Sequence, residues 1–167
     1  GNMLGISGGT GGLGLLVAWW AAGGGVQGSI LWSRRGAVAN GSEGHWLELA
    51  GNRHTGARVE LCDVGSAREA ARVASHRVGC LVHAAGVLRD ALLGGQTQEG
   101  LRRVGIPRAS AAWSLHTAAG TSDALVMFSS VAALVGNVGQ ANYASANACM
   151  DALAKLRRGR GLVGTSV

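Results

Sequence analysis

The sequence predicts an α/β fold, a doubly wound parallel sheet with helices on both faces, cut short at its C-terminal end. Two observations carry that expectation. Short apolar runs alternate with longer segments of helical periodicity along all 167 residues, which is the pattern of βαβ units. The first apolar run then passes straight into a glycine-rich turn, "SGGTGGLG" at 7–14, before the first helical segment begins.

Taken in order, "NMLGIS" at 2–7 reads as a strand and residues 12–22 as a helix, with "GGG" at 23–25 as the helix-to-strand turn. "GSILWS" at 28–33 is a second strand, and a helix is expected around 43–50. "ARVELCDV" at 57–64 is a third strand, followed by a helix over 66–76 with Ser66 placed to cap it. "GCLVHAAG" at 79–86 reads as the fourth strand, and 97–119 as mostly helix with a kink or break at Pro107. "DALVMFSS" at 123–130 is a fifth strand closed by Ser130, and 141–158 a long helix ended by Gly159. "LVGTSV" at the end looks like the start of a sixth strand, so the chain reads as one domain, 1–167, that lacks its last strands and substrate lid.

Composition narrows the function classes. With 47% hydrophobic residues, 14% charged and a mean hydropathy of +0.22, the chain is too apolar to stay disordered. No apolar run approaches the ~18 residues needed to cross a bilayer, and no signal peptide is apparent, so a cytoplasmic protein is expected. Cys62, Cys80 and Cys149 have no metal-ligand spacing and read as free thiols of a reducing compartment. The net charge of +6 raises nucleic acid as a partner, but the basic residues are scattered and no aromatic residues interleave with them. Nucleic acid is therefore not expected. Trp19, Trp20, Trp32 and Trp113 fit packing against the sheet, His83 a strand end and His116 a helix surface.

The glycine turn follows strand one and opens a helix, so its backbone can approach a pyrophosphate and offer it the helix N-terminus. A glycine-rich turn without a ligand is the alternative. After strand two, where an NAD site carries an acidic residue, the chain reads "WSRRG". Arg34 and Arg35 offer guanidinium forks suited to a 2′-phosphate, which points to NADP(H); a solvated basic loop is the other reading.

"SGGTGGLG", "SRRG", "CDV", "HAAGVLRDALL" and "FSSVAALVGNVGQANYASANACMDALA", in that order, closely resemble the ketoreductase domain of modular polyketide synthases. That family is a Rossmann-type branch of the short-chain dehydrogenase/reductases, and the fatty acid synthase ketoreductase is similar. The resemblance covers nearly the whole chain. It implies NADPH-dependent reduction of a β-ketoacyl thioester, tethered to an acyl carrier protein within a multidomain synthase, to the β-hydroxyacyl thioester.

Carried over by position, the resemblance assigns Gly8, Thr10, Gly11, Gly12, Leu13 and Gly14 to the dinucleotide turn. It gives Ser33 and Arg34 to the 2′-phosphate, Asp63 and Val64 to the adenine, and Ala84, Ala85 and Gly86 to the wall of the cofactor site. Asp63 is also suited to closing a turn.

Hydride addition to a ketone builds charge on its oxygen, which calls for a proton donor and a hydrogen-bond donor there. Tyr143, the only tyrosine, matches the family's acid, Ser130 its partner at the carbonyl, and Asn147 lies four residues on, on the same helical face. A free phenol ionises near pH 10, so a neighbouring cation has to assist it. The family places a Lys directly after the Pro of "VGIPRASAAW", and this chain has Arg108 instead, with a planar fork and a much higher pKa. A catalytically impaired or structural module is the reading Arg108 favours, and intact Ser130, Tyr143 and Asn147 oppose it. Leu88 and Asp90 resemble the outer residues of the B-type Leu-Asp-Asp signature, with Arg89 in the middle. Val135 stands where A-type domains carry Trp, and Asn142 also supports B-type, whereas Val138 replaces a frequent B-type Pro.

Overall fold

The computed structural model describes residues 3–51, 56–74, 76, 78–119 and 124–167. Asn2, Ser75 and Asp123, placed above at element ends, lie outside the described residues. Six strands form one parallel sheet: β1 (Met3–Ser7), β2 (Gly28–Ser33), β3 (Arg58–Leu61), β4 (Cys80–His83), β5 (Ala124–Met127) and β6 (Gly164–Ser166). Their order is β3-β2-β1-β4-β5-β6, so the crossing direction reverses between β1 and β4. The helices are α1 (Gly12–Gly23), α2 (Glu43–Gly51), α3 (Ala67–Ala74), α4 (Gln98–Gly105), α5 (Ala111–Ala118), α6 (Ala132–Val135) and α7 (Ala141–Gly159).

Strand alternation divides the core into two layers. Leu4, Ile6, Leu31 and Val82 face one side and pack with Leu15, Ala18 and Ala21 of α1 and Leu49 of α2. Ile30, Trp32, Leu81, Leu125 and Met127 face the other and pack with α3, α5 and α7. Gly5 makes room on this second face for the Trp32 ring, which lies where a Cβ on Gly5 would be. The helices thus cover both faces of the sheet, the expected doubly wound arrangement.

Several local expectations change. Strands four and five end at His83 and Met127, so Ala84–Gly86 and Ser130 belong to the loops beyond the sheet rather than to its strands. Strand three ends at Leu61, because Asp63 folds back: its Oδ1 accepts from the Gly65 N–H at 3.0 Å. The Ser66 cap stands, with the Glu69 N–H donating to Ser66 Oγ at 3.5 Å and the Glu69 carboxylate taking the Asp63 N–H at 2.7 Å.

Between α4 and α5 the chain makes a π turn, Ile106–Ser110. Pro107 has no N–H to donate and its ring collides with the preceding turn, so the α pattern cannot run through it. The Ala111 N–H instead reaches back to the Ile106 carbonyl, and the widened turn carries Arg108.

Trp32 packs as expected, but Trp19, Trp20 and Trp113 do not pack against the sheet: they are 51%, 74% and 52% exposed. In α1 every residue is apolar or glycine, so the sheet takes one face of the helix and the rest is left outside. His116 is half-buried, its Nδ1 2.9 Å from Arg157 Nη1, and is not a simple surface residue. Among the described residues no helix is long and apolar enough to cross a membrane.

Candidate active site

A cleft of about 680 Å³ runs along the C-terminal edge of the sheet where the strand order reverses. Ligand crevices in doubly wound sheets open at this point. Its floor is the glycine turn. Gly8 has φ +69°, a left-handed conformation, and a Cβ there would strike the backbone of Ala84 and Ala85. Gly14 lies under the turn, where a Cβ would fall 2.5 Å from the Gly8 carbonyl, so it serves close packing rather than ligand contact. A Cβ on Gly11 would meet only the Gly8 carbonyl, at 3.5 Å, and one on Gly12 nothing at all. Space is thus open directly above the start of α1, whose first amides have no helical partners. Thr10 lines the cleft beside Gly8 and Gly11, while Leu13 is half exposed and, like Gly12 and Gly14, is absent from its lining.

Ser33, Arg34, Arg35, Asp63 and Val64 border the same cleft at one end. Ser33 Oγ accepts the Arg35 N–H at 3.3 Å, which shapes the turn carrying the two arginines. Both guanidinium groups are exposed, and among the described residues neither pairs with a carboxylate. Asp63 lines the cleft and closes its turn, so both expected roles are open to it. Ala84, Ala85 and Gly86 form the opposite wall. An open glycine cradle at a helix N-terminus with unpaired arginines beyond it fits a dinucleotide bearing an extra phosphate.

Behind Gly86 and Pro107, and outside the lining of this cleft, the structure gathers Arg108, Tyr143 and Asn147. The 3.6-residue period of α7 puts Tyr143 and Asn147 on one face, and that face packs against the π turn. Arg108 Cζ lies 4.3 Å from the centre of the Tyr143 ring, a cation–π contact. Arg108 Nη1 donates to Asn147 Oδ1 at 2.8 Å and to the Phe128 carbonyl at 3.3 Å. Burial lowers the Arg108 pKa, and the nearby Tyr143 opposes that shift. Asn147 is wholly buried, and its Nδ2 and Arg108 Nε lack partners within the protein. Two orphaned donors beside the candidate acid mark a polar site prepared for a ligand or water.

Ser130 stands in the β5–α6 connection, with Oγ accepting the Ala132 N–H at 3.2 Å. Its own hydroxyl hydrogen therefore stays available to a substrate oxygen. No hydrogen bond joins Ser130 to Tyr143.

Two loops meet at the mouth of this site. The Ala91 N–H donates to the Gly139 carbonyl at 2.8 Å, Asn142 Nδ2 to the Arg89 carbonyl at 2.8 Å, and Gln140 Nε2 to both Asp90 carboxylate oxygens at 3.2 Å. The segments that carry the two sets of stereochemical markers are thus docked on each other.

Sequence reading took His83 as a strand end, which it is, and gave the Ser7 side chain no role. The two are the last residues of neighbouring parallel strands, paired in register and both buried. Their Ser7 Oγ–His83 Nδ1 separation is 2.5 Å, and His83 Nε2 lies 3.0 Å from the Arg108 carbonyl. Matching strand-end positions were the signal that could have linked them. Gly86 has a second role too: a Cβ there would fall 2.5 Å from Arg108 Nη2 and 2.7 Å from Cζ, so its bare Cα makes the seat for the guanidinium.

This sheet order and glycine turn define a Rossmann-type fold, that of the short-chain dehydrogenase/reductase class. The family described as KR domain matches residues 3–167. Polyketide synthase GfsA of Streptomyces halstedii is 45% identical over 97% of this chain, a stretch that makes up 2% of GfsA. PlmKR1, the ketoreductase from the first module of phoslactomycin biosynthesis in Streptomyces sp. HK803, superposes with a TM-score of 0.87 at 35% identity. That likeness covers 98% of this chain and 40% of PlmKR1. An A1-type ketoreductase structure gives 0.87 at 37% identity, over 98% of this chain and 36% of its own. The chain belongs to the KR domain family, the ketoreductase domains of modular polyketide synthases.

Proposed function

We propose that this chain reduces a β-ketoacyl thioester, presented on an acyl carrier protein by a multidomain cytoplasmic synthase, to the β-hydroxyacyl thioester with NADPH. The observation that carries the reading is the convergence of Arg108 and Asn147 on Tyr143 beside a cleft that holds the glycine turn and Arg34, with Gly86 lining the cleft and seating Arg108. NADPH supplies the hydride when bound. Gly8, Thr10, Gly11 and the start of α1 would hold its pyrophosphate, Ser33 and Arg34 its 2′-phosphate, Asp63 and Val64 its adenine, and Ala84–Gly86 its far wall.

Tyr143 donates its phenolic proton to the oxygen that becomes the alkoxide, and Ser130 holds that oxygen through its free hydroxyl hydrogen. Arg108, fixed by Asn147, places positive charge over the phenol ring. Leu88, Asp90, Val135 and Asn142 support B-type stereochemistry, whereas Arg89 and Val138 depart from the B-type pattern.

One observation favours a second reading, an impaired module that binds NADPH without useful turnover. Arg108 lies on the face of the phenol ring and makes no hydrogen bond to its hydroxyl, so the proton relay lacks the compact donor a lysine provides.

The test is NADPH oxidation by the full-length protein with a β-ketoacyl thioester. Tyr143→Phe is expected to lower kcat at least about 100-fold; an unchanged rate would refute the assignment of the acid. An inactive parent that gains turnover through Arg108→Lys would establish the impaired module instead.

A further inference from the structure

We propose that His83 is a positioning residue for the reductase site, a buried strut through which Ser7 and the end of β1 hold the Arg108 backbone and aim its guanidinium at Tyr143. This rests on the reductase reading above. Ser7 and His83 pair in register across β1 and β4, so the two-residue period sends both side chains to the same face of the sheet. The π turn packs on that face. The Arg108 carbonyl can only accept, so His83 Nε2 carries the hydrogen of that 3.0 Å bond. His83 Nδ1 is then the acceptor for the Ser7 hydroxyl, at 2.5 Å. Both ring nitrogens are committed in one neutral tautomer, and burial favours that neutral form.

The consequence follows from where Arg108 sits. Its backbone is held by His83, its guanidinium by Asn147 and the Phe128 carbonyl, and the guanidinium lies against Gly86 and the Tyr143 ring. Pro107 precedes it in a turn that breaks the regular helical ladder, and within that turn the Ala111 N–H reaches the Arg108 carbonyl as well as that of Ile106. His83 adds a second restraint, from the sheet, which ties the turn to β4. Because Ser7 immediately precedes Gly8, the same strut joins the dinucleotide turn to the cation beside the acid.

The experiment compares His83→Phe, which fills similar volume without donor or acceptor, with His83→Gln, which keeps an N–H donor, in the full-length protein. His83→Phe is expected to lower kcat about 10- to 100-fold with KM for NADPH within about 2- to 3-fold, and His83→Gln to recover most of the loss. In an Arg108→Ala background His83→Phe should cost nothing further, because the residue acts through Arg108. Loss that adds in full to that of Arg108→Ala, or an unaltered kcat, overturns the proposal. If His83→Phe does not fold, Ser7→Ala is read by the same criteria, with a smaller effect. A crystal structure of the variant decides independently of activity: loss of the Arg108–Asn147 bond supports the strut, and an undisturbed guanidinium refutes it. That arm still discriminates if the parent shows no reductase activity, an outcome that would count against the reductase reading alone.

Discussion

The Arg108 guanidinium touches both Tyr143 and Gly86: its Cζ lies 4.3 Å from the centre of the Tyr143 ring, and a Cβ on Gly86 would fall 2.7 Å from the same atom. Gly86→Ala is therefore expected to push the guanidinium off the ring. The clashing atoms are the far end of a flexible side chain, so stability should fall by only about 1 kcal/mol. Turnover should drop about tenfold. Thermal melts and NADPH oxidation measured side by side check this; a large loss of stability at full activity would contradict it.

Arg34 borders the cofactor cleft with no carboxylate competing for it among the described residues. A charge-assisted hydrogen bond contributes roughly 1.5–3 kcal/mol, or roughly 10- to 100-fold in affinity. Arg34→Ser should raise KM for NADPH by that factor and leave NADH within about twofold. Equal losses for both cofactors would remove Arg34 from the 2′-phosphate site.

Acid should weaken the fold over a defined range. Burial, with the Arg108 charge adding, pushes the His83 pKa from the ordinary 6.5 down to about 4. The unfolded chain therefore binds a proton that the native chain refuses, and stability falls as pH drops from about 6.5 to about 4. Fully expressed, the effect is about 3 kcal/mol. His116, also lowered by burial, adds in the same direction, whereas the lowered carboxyl of Glu60 contributes only below its ordinary 4.5. Urea unfolding at pH 7 and pH 5 should show the loss, and His83→Gln should flatten the dependence. A parent equally stable at both pH values would count against a neutral buried His83.

Thiol labelling should separate the cysteines. Burial and the Glu69 charge push the Cys62 thiol up to about 11, whereas Cys149 lies exposed on α7. At pH 8 an alkylating reagent should modify Cys149 and spare Cys62. NADPH should then make little difference, although Cys62 borders the cleft. Rapid modification of Cys62 in the folded protein would show that the wall beside it opens.

Much of the fold was legible because strands buried on both faces read as short apolar runs, as in "GSILWS", and the element between them has a different period. Boundaries were less legible where a side chain ends an element through a contact distant in sequence or a local turn. Asp63 shortens β3 by closing on Gly65, and after β5 the Phe128 and Ser129 N–H groups still reach the His83 and Val167 carbonyls although the strand has ended. Pro107 announced a break, yet only packing against α7 shows that the break presents Arg108 to Tyr143. Trp19 and Trp20 misled for a simple reason: an aromatic residue on an all-apolar helix gives no periodic sign of which face the sheet will take. At the site, the i, i+4 spacing of Tyr143 and Asn147 placed them together. The Ser7–His83–Arg108 chain spans 76 residues between its first two members and follows from sheet register, which no local spacing expresses.

The joined loops at the mouth of the site bear on redesign. Arg89 and Asp90 meet Asn142 and Gln140 through complementary donors and acceptors, and the Ala91 N–H is satisfied by Gly139. A chimera that imports either segment alone would strand those partners at a seam, so the two pieces form a single transplantable cassette although some fifty residues of chain separate them.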